Sequence, residues 1–88
     1  MVQVIENATR LSGTVLSVRQ SEHGALVALR VERSEPVEGL AHLLQPTPGS
    51  TQELLAPELK PTTLMPGQQV SFEARLKGPG VVHGRLLG

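Results

Sequence analysis

From Gln69 to Lys77 apolar and polar residues alternate without a break. Val70, Phe72, Ala74 and Leu76 fall on one side, and Gln69, Ser71, Glu73, Arg75 and Lys77 on the other. A period of two is the pattern of a half-buried β-strand, because successive side chains leave a strand on opposite faces. Met65-Pro66-Gly67-Gln68, just before it, places Pro at i+1 and Gly at i+2, the type II turn pattern. Gly78-Pro79-Gly80 then turns the chain, and Val81 to Leu87 reads as the returning strand of a hairpin. A hairpin with one apolar face must cover that face, so this chain has to build a layered sheet or a barrel.

The first part of the chain reads the same way. Leu11, Gly13 and Val15 alternate with Ser12 and Thr14, and the apolar phase then slips to Leu16 and Val18. A phase slip inside one strand predicts a bulge or a strong bend. Ser21-Glu22-His23-Gly24 follows as a turn. From Ala25 to Arg33, Val27, Leu29 and Val31 share one face while Arg30 and Glu32 share the other. Glu35-Pro36 breaks this second strand. Val37 to Leu44 reads as a weaker third strand, with Leu40, His42 and Leu44 opposite Gly39, Ala41 and Leu43, although a helix fits it too.

The middle, Gln45 to Gly67, is punctuated by Pro46, Pro48, Pro57, Pro61 and Pro66. Ser50-Thr51-Gln52-Glu53 matches a capping box, and Leu54, Leu55 and Leu59 follow at helical spacing. Pro57 limits any helix here to a few turns or splits it. The reading is a short helix inside a long connection.

Three strands, a short helix and two strands is the element order of the OB-fold, a five-stranded Greek-key barrel. The chain resembles that superfamily in three places. They are the bulged opening strand Leu11-Ser12-Gly13-Thr14-Val15-Leu16-Ser17-Val18, the turn and strand from Met65 to Leu76, and the hairpin closing at Leu87. The resemblance is topological and covers most of the chain. It implies a mostly β domain with one short helix between strands 3 and 4. An SH3-like or other small barrel, or an open antiparallel sheet, fits the same pattern.

Length and composition narrow the functions. Eighty-eight residues form a single domain, 1–88. Phe72 is the one residue among Phe, Trp and Tyr, and Cys and Asp are absent. The core must therefore be aliphatic: either thin but sufficient, or completed by docking with a partner or a second copy, which would make the chain a homo-oligomer or complex subunit. Without Cys there is no disulfide framework and no thiolate metal site. The formal net charge is +0, so no long-range field steers the whole chain toward nucleic acid or an anionic membrane. Met1 to Asn7 shows neither a basic segment nor an apolar run of the signal-peptide kind, and no apolar run reaches the ~20 residues of a membrane span. The expectation is a cytoplasmic protein with no membrane contact.

Catalytic chemistry finds little to work with. His23, His42 and His83 show no ligand spacing within one element, so no metal site and no cofactor is expected. Glu32, Glu35 and Glu38 cluster around the Pro36 break, as in a solvated loop. No serine or threonine has an assignable base. No P-loop and no Gly-x-Gly-x-x-Gly occurs. The chain reads as a non-enzyme.

The basic residues are more suggestive. All but Lys60 lie on or beside the expected strands. In an OB-like barrel the ligand surface lies on strands 2 and 3 and nearby loops, which implies that Arg30 and His42 face a ligand. Arg19, Arg30, His42, Arg75, Lys77 and Arg85 are the candidate ligand-binding residues. Arginines lining a groove would contact phosphates. Against this, single-strand binders stack bases on aromatics, and Phe72 shares the apolar face of its strand. Alternating Arg and Glu is also how a solvated sheet surface reads, with edge charges discouraging aggregation. The sequence thus points to an OB-like binding module that docks on a larger partner and contacts single-stranded nucleic-acid phosphates through strand arginines. The alternative is a protein–protein interaction or assembly subunit without nucleic-acid contact. In that reading Leu26, Ala28, Leu40 and Leu44, opposite the core phase, form an apolar patch.

Overall fold

The computed structural model describes residues 6–78 and 80–88. The N-terminal stretch through Ile5 and Pro79 of the Gly78–Gly80 turn lie outside the described residues. Five strands follow in order: β1 (Thr9–Ser21), β2 (Gly24–Pro36), β3 (Thr51–Ala56), β4 (Gln69–Gly78) and β5 (Val81–Leu86). They close into a barrel with the neighbour order β1-β2-β3-β5-β4, with β4 returning to β1. This is the expected mostly β, OB-like five-stranded barrel. The helical element between β3 and β4 is a single 3₁₀ turn, Pro61–Thr63. Among the described residues no helix is long and apolar enough to cross a membrane.

Closure depends on β1. Its first half, Thr9 to Thr14, pairs with β4 on one side and β2 on the other. The predicted phase slip is real. Val15 pairs with Leu29 and Ser17 with Ala28, which leaves Leu16 as the extra residue of a bulge and 41% exposed. A second irregularity leaves Glu32 unmatched between the Ser12–Arg33 and Gly13–Val31 pairs. Bulges bend a strand and increase its twist, which a narrow barrel needs. Gly13 sits at the bend. A Cβ on it would overlap the Arg30 carbonyl oxygen of β2, so the two backbones approach only because Gly13 has none.

The third strand is not where the sequence places it. Val37 to Leu44 forms no named strand; it holds a turn and one isolated bridge, Asn7 to Ala41. The strand beside β2 is Thr51–Ala56, the segment read as the start of a helix. Ser50 does not cap a helix. It closes a turn, with its backbone N–H and its hydroxyl both donating to the Thr47 carbonyl. Thr47-Pro48-Gly49-Ser50 repeats the Pro-Gly signature of Met65-Pro66-Gly67-Gln68, and Gly49 and Gly67 both sit at φ 90°. Ser50 then accepts from Val31 N–H at 2.8 Å, extending the β2–β3 ladder. Leu54 and Ala56 point inward at period two, while Leu55 faces out half-buried. The Leu-Leu-Ala run suits either period. The open flank of β2 decides for the strand, because a closed barrel leaves no unpaired edge there.

The interior is aliphatic around one ring. Phe72 is fully buried with Leu11, Val15, Val27, Leu29, Val31 and Leu54. Gly84 of β5 makes room for it: an added Cβ there would stand 3.1 Å from Phe72 Cδ1 and 3.2 Å from Leu54 Cδ1. Leu64, just past the 3₁₀ turn, joins the core cluster, and Leu44 packs against it. Leu44 is thus no part of an exposed apolar patch.

Asn7 finishes the β1–β4 seam. The ladder ends at Thr9–Ala74, and the Asn7 side chain takes over two residues further on. Its Nδ2 donates to the Leu76 carbonyl at 3.0 Å and its Oδ1 accepts from Leu76 N–H at 2.8 Å. The amide thereby stands in for a strand partner at a position that is 3% exposed.

Two stability changes follow. Gly13→Ala forces β1 away from β2 and costs about 3 kcal/mol, at the upper end for overpacking, read as a lower midpoint in urea. Asn7→Ala strands the N–H and C=O of Leu76 and costs about 1–3 kcal/mol in the same measurement.

Candidate functional site

β3 and β5 run parallel and meet at one residue pair, Leu55 with His83. Beyond Ala56 the chain turns away through Pro57, Glu58 and Leu59, with Leu59 N–H donating to the Ala56 carbonyl. The divergence opens a groove of about 550 Å³ between this segment and the outer surface of β4 and β5. Leu59, Gly84 and Leu86 give it apolar lining. Glu73, Arg75 and Lys77 from β4, His83 and Arg85 from β5 and Glu58 from the opposite wall supply its charged and polar groups, three permanent cations against two carboxylates.

The hairpin register brings these side chains together. Arg75 pairs with His83, and Glu73 with Arg85, so all four share the outer face. Glu73 is the hub. Its Oε1 accepts from Arg75 and its Oε2 from Arg85, each from an Nη2 at 2.9 Å. The Glu73 side chain is 18% exposed, against 38% for Arg75 and 66% for Arg85. The carboxylate lies beneath and the guanidiniums project over it. The Arg75 hydrogen bond, helped by the Arg85 hydrogen bond and both positive charges, holds the Glu73 carboxyl below the usual carboxylate range, although burial pushes the other way. On the far side Glu73 faces Arg10 of β1, which in turn faces Glu35 of β2, so charges of alternating sign run around the barrel.

The other candidates lie elsewhere. Arg19 is on β1 and reaches Glu53 of β3 at 3.6 Å; Arg30 is on β2 and reaches Glu32 at 3.7 Å. Both pairs are well exposed. His42 is not on a strand. It lies in the irregular segment between β2 and β3, where its carbonyl accepts from Gln45 and its Nε2 is buried without a hydrogen-bond partner. Thus Arg75, Lys77 and Arg85 come together, while Arg19, Arg30 and His42 do not join them. Among the described residues Arg10, Lys60 and Lys77 enter no ion pair, and no three of His and Glu gather as a metal-holding group. The sequence reading missed Glu73 as a hub and the Pro57–Leu59 wall. Counting outward from the Gly78–Gly80 turn places Glu73 opposite Arg85, so the first was available from the hairpin. The wall was not, because it depends on β3.

The Glu73 cluster makes acid stability a specific observable. A carboxyl whose pKa is lower in the folded state stabilises the fold above its unfolded value, about 4.5, and that stability is lost as pH falls through the folded value. Glu73→Gln is therefore expected to flatten the acid limb of the stability profile below about pH 4.5 and leave its shape near neutrality unchanged, measured by urea unfolding at a series of pH values. Comparison of the chain with protein-family models, with curated proteins and with solved structures returns no match, so the groove is interpreted from its own side chains.

Proposed function

We propose that this barrel is a non-enzymatic binding module that docks on single-stranded nucleic acid, gripping phosphates in the β4–β5 groove. One observation carries the reading: Arg75, Lys77, Arg85 and His83 line a single groove and outnumber its two carboxylates, Glu58 and Glu73, whereas Arg19, Arg30 and Arg33 are each matched by a glutamate outside it. The strand order supports placing the chain with the OB-like barrels. In such barrels the ligand surface commonly lies on strands 2 and 3. Here those outer faces carry half-buried Leu26, Ala28 and Leu55 and exposed, paired charges. The cationic surface lies further round, beyond the β3–β5 seam.

The chemistry of the groove suits binding rather than turnover. A general acid or base works best with a pKa near the operating pH, and the groove's hub carboxylate is held the other way. Phe72 is sealed in the core, so no Phe, Tyr or Trp platform is left for bases. Recognition then falls on the sugar–phosphate chain and is tolerant of sequence. Arg guanidiniums suit it, since each presents five N–H donors and Glu73 engages only part of them.

Fluorescence anisotropy with a labelled oligothymidylate tests the reading. Binding is expected at low salt. The slope of log K against log salt should fall by roughly 0.7 for each of Lys77 and Arg85 replaced by Ala, and stay unchanged for Arg19→Ala and Arg30→Ala. Absence of binding at low salt, or equal losses from all four variants, rejects it. A protein that self-associates in light scattering and ignores the oligonucleotide would instead be an assembly subunit.

A further inference from the structure

We infer that Arg75 and Arg85 act as one phosphate-binding unit and that Glu73 is its positioning residue. The inference rests on the binding-module reading and goes on to name the atoms and the ligand chemistry. The ligand group is a phosphate, whether in a nucleic-acid backbone or in a free polyphosphate.

The geometry is unusual for a surface charge pair. The exposed pairs Arg19–Glu53, Arg30–Glu32 and Arg33–Glu35 are 3.5 to 3.7 Å apart and each joins one arginine to one glutamate, Glu32 also accepting from the Thr14 hydroxyl. Such pairs hold neither partner firmly. Glu73 takes one arginine on each oxygen, both at 2.9 Å, and is itself the most buried carboxylate among the ion pairs. The two arginines come from different strands, yet one carboxylate fixes the separation of their guanidinium groups. Each guanidinium gives Glu73 a single Nη2–H and keeps N–H donors for another acceptor. The more exposed arginine, Arg85, and the neighbours Lys77 and His83 line the same groove. A phosphate offers several oxygens around one centre and matches a pair of forks better than a single charge.

This arrangement separates two effects of opposite sign. Glu73 adds a negative charge to a site meant for anions, so the field alone would make its removal tighten binding. It also freezes two long side chains that otherwise lose rotamer freedom on binding, a cost carried by each side chain immobilised. The carboxylate offsets only one of the two guanidinium charges, so the unit stays cationic with Glu73 in place. Positioning wins, and losing it weakens binding.

The test uses the full chain with two ligands. Inorganic tripolyphosphate is titrated while the Nε–H signals of Arg75 and Arg85 are followed by NMR, and labelled oligothymidylate is titrated by anisotropy. In the native protein both arginine signals should move with one common midpoint. Glu73→Gln should weaken both ligands about fivefold or more. Arg85→Lys keeps the charge on an exposed side chain, loses the planar fork and should also weaken both severalfold, which keeps the test decisive if Glu73→Gln does not fold. Unchanged or tighter binding by Glu73→Gln, full affinity of Arg85→Lys, or separate midpoints for the two arginines overturns the unit. If the oligonucleotide binds and the unit fails these tests, the nucleic-acid reading stands without it. If tripolyphosphate moves both arginines together and the oligonucleotide does not bind, the unit stands and the nucleic-acid reading falls. If neither ligand binds the native protein, both fall.

Discussion

The fold turns on the close approach of β1 to β2 at Gly13. In this barrel β1 carries two ladders over the same residues, with β4 on one flank and β2 on the other. A strand in that position cannot stay straight, because a five-stranded barrel is narrow and its strands must tilt and coil. The bend is made by removing a side chain at Gly13, adding a residue at Leu16 and adding another at Glu32. The two bulges lie on opposite strands of the pair and on either side of the glycine. With any larger residue at 13 the β1–β2 contact opens, and everything downstream of it loses its reference. β3 is placed by β2, β5 by β3 and β4, and the groove by the separation of β3 from β5.

A second constraint comes from the shortage of aromatic residues. Phe72 is the sole large ring, so the interior is built around it rather than from several rings. Gly84 lies against it, and Phe72 and Leu54 together occupy the space a side chain at Gly84 would need. This packing fixes β5 against β4 and sets the inward phase of both strands. Because Phe72, Ala74, Val82 and Gly84 face in, Glu73, Arg75, His83 and Arg85 face out. The outer site is a consequence of the core register: a strand slip of one residue would bury the charges and expose the ring.

What could be read from the sequence follows from how local each signal is. The alternation of β4, the phase slip of β1 and the Pro-Gly turn before β4 are contained within a few residues, and all three stand. β3 was not legible because two local signals conflicted. Ser50 to Glu53 matches a capping box, while Thr47 to Ser50 carries the Pro-Gly turn that leads into a strand. The free edge of β2 settles the conflict, and that is a tertiary fact. The same limit applies to the site. Arg75 and Lys77 share a face by periodicity alone, and Arg85 joins them through the hairpin. His42 was placed on an expected strand that does not form. Arg30 and its partner Glu32 share a strand face that periodicity gives, whereas Arg19 pairs with Glu53, which the linear sequence does not reveal because Glu53 comes from the segment read as helix.

A formal net charge of +0 describes this surface poorly. Apart from Arg10 and Lys60, which enter no ion pair among the described residues, the cations fall into two populations that differ in environment rather than number. On β1 and β2, Arg19, Arg30 and Arg33 pair loosely with exposed glutamates, and pairs of that kind contribute about 0–1 kcal/mol each. They leave that face electrically quiet. On β4 and β5 one carboxylate serves two arginines, and Lys77 beside them enters no ion pair among the described residues. The first population cancels at long range, so the protein exerts little pull on distant polyanions. The second is felt only within about a Debye length, roughly 8–10 Å at physiological salt. Such a surface does not gather nucleic acid from a distance. In the proposed binding reading, discrimination is made at contact, where the spacing of the two guanidiniums that share Glu73 matters more than the total charge.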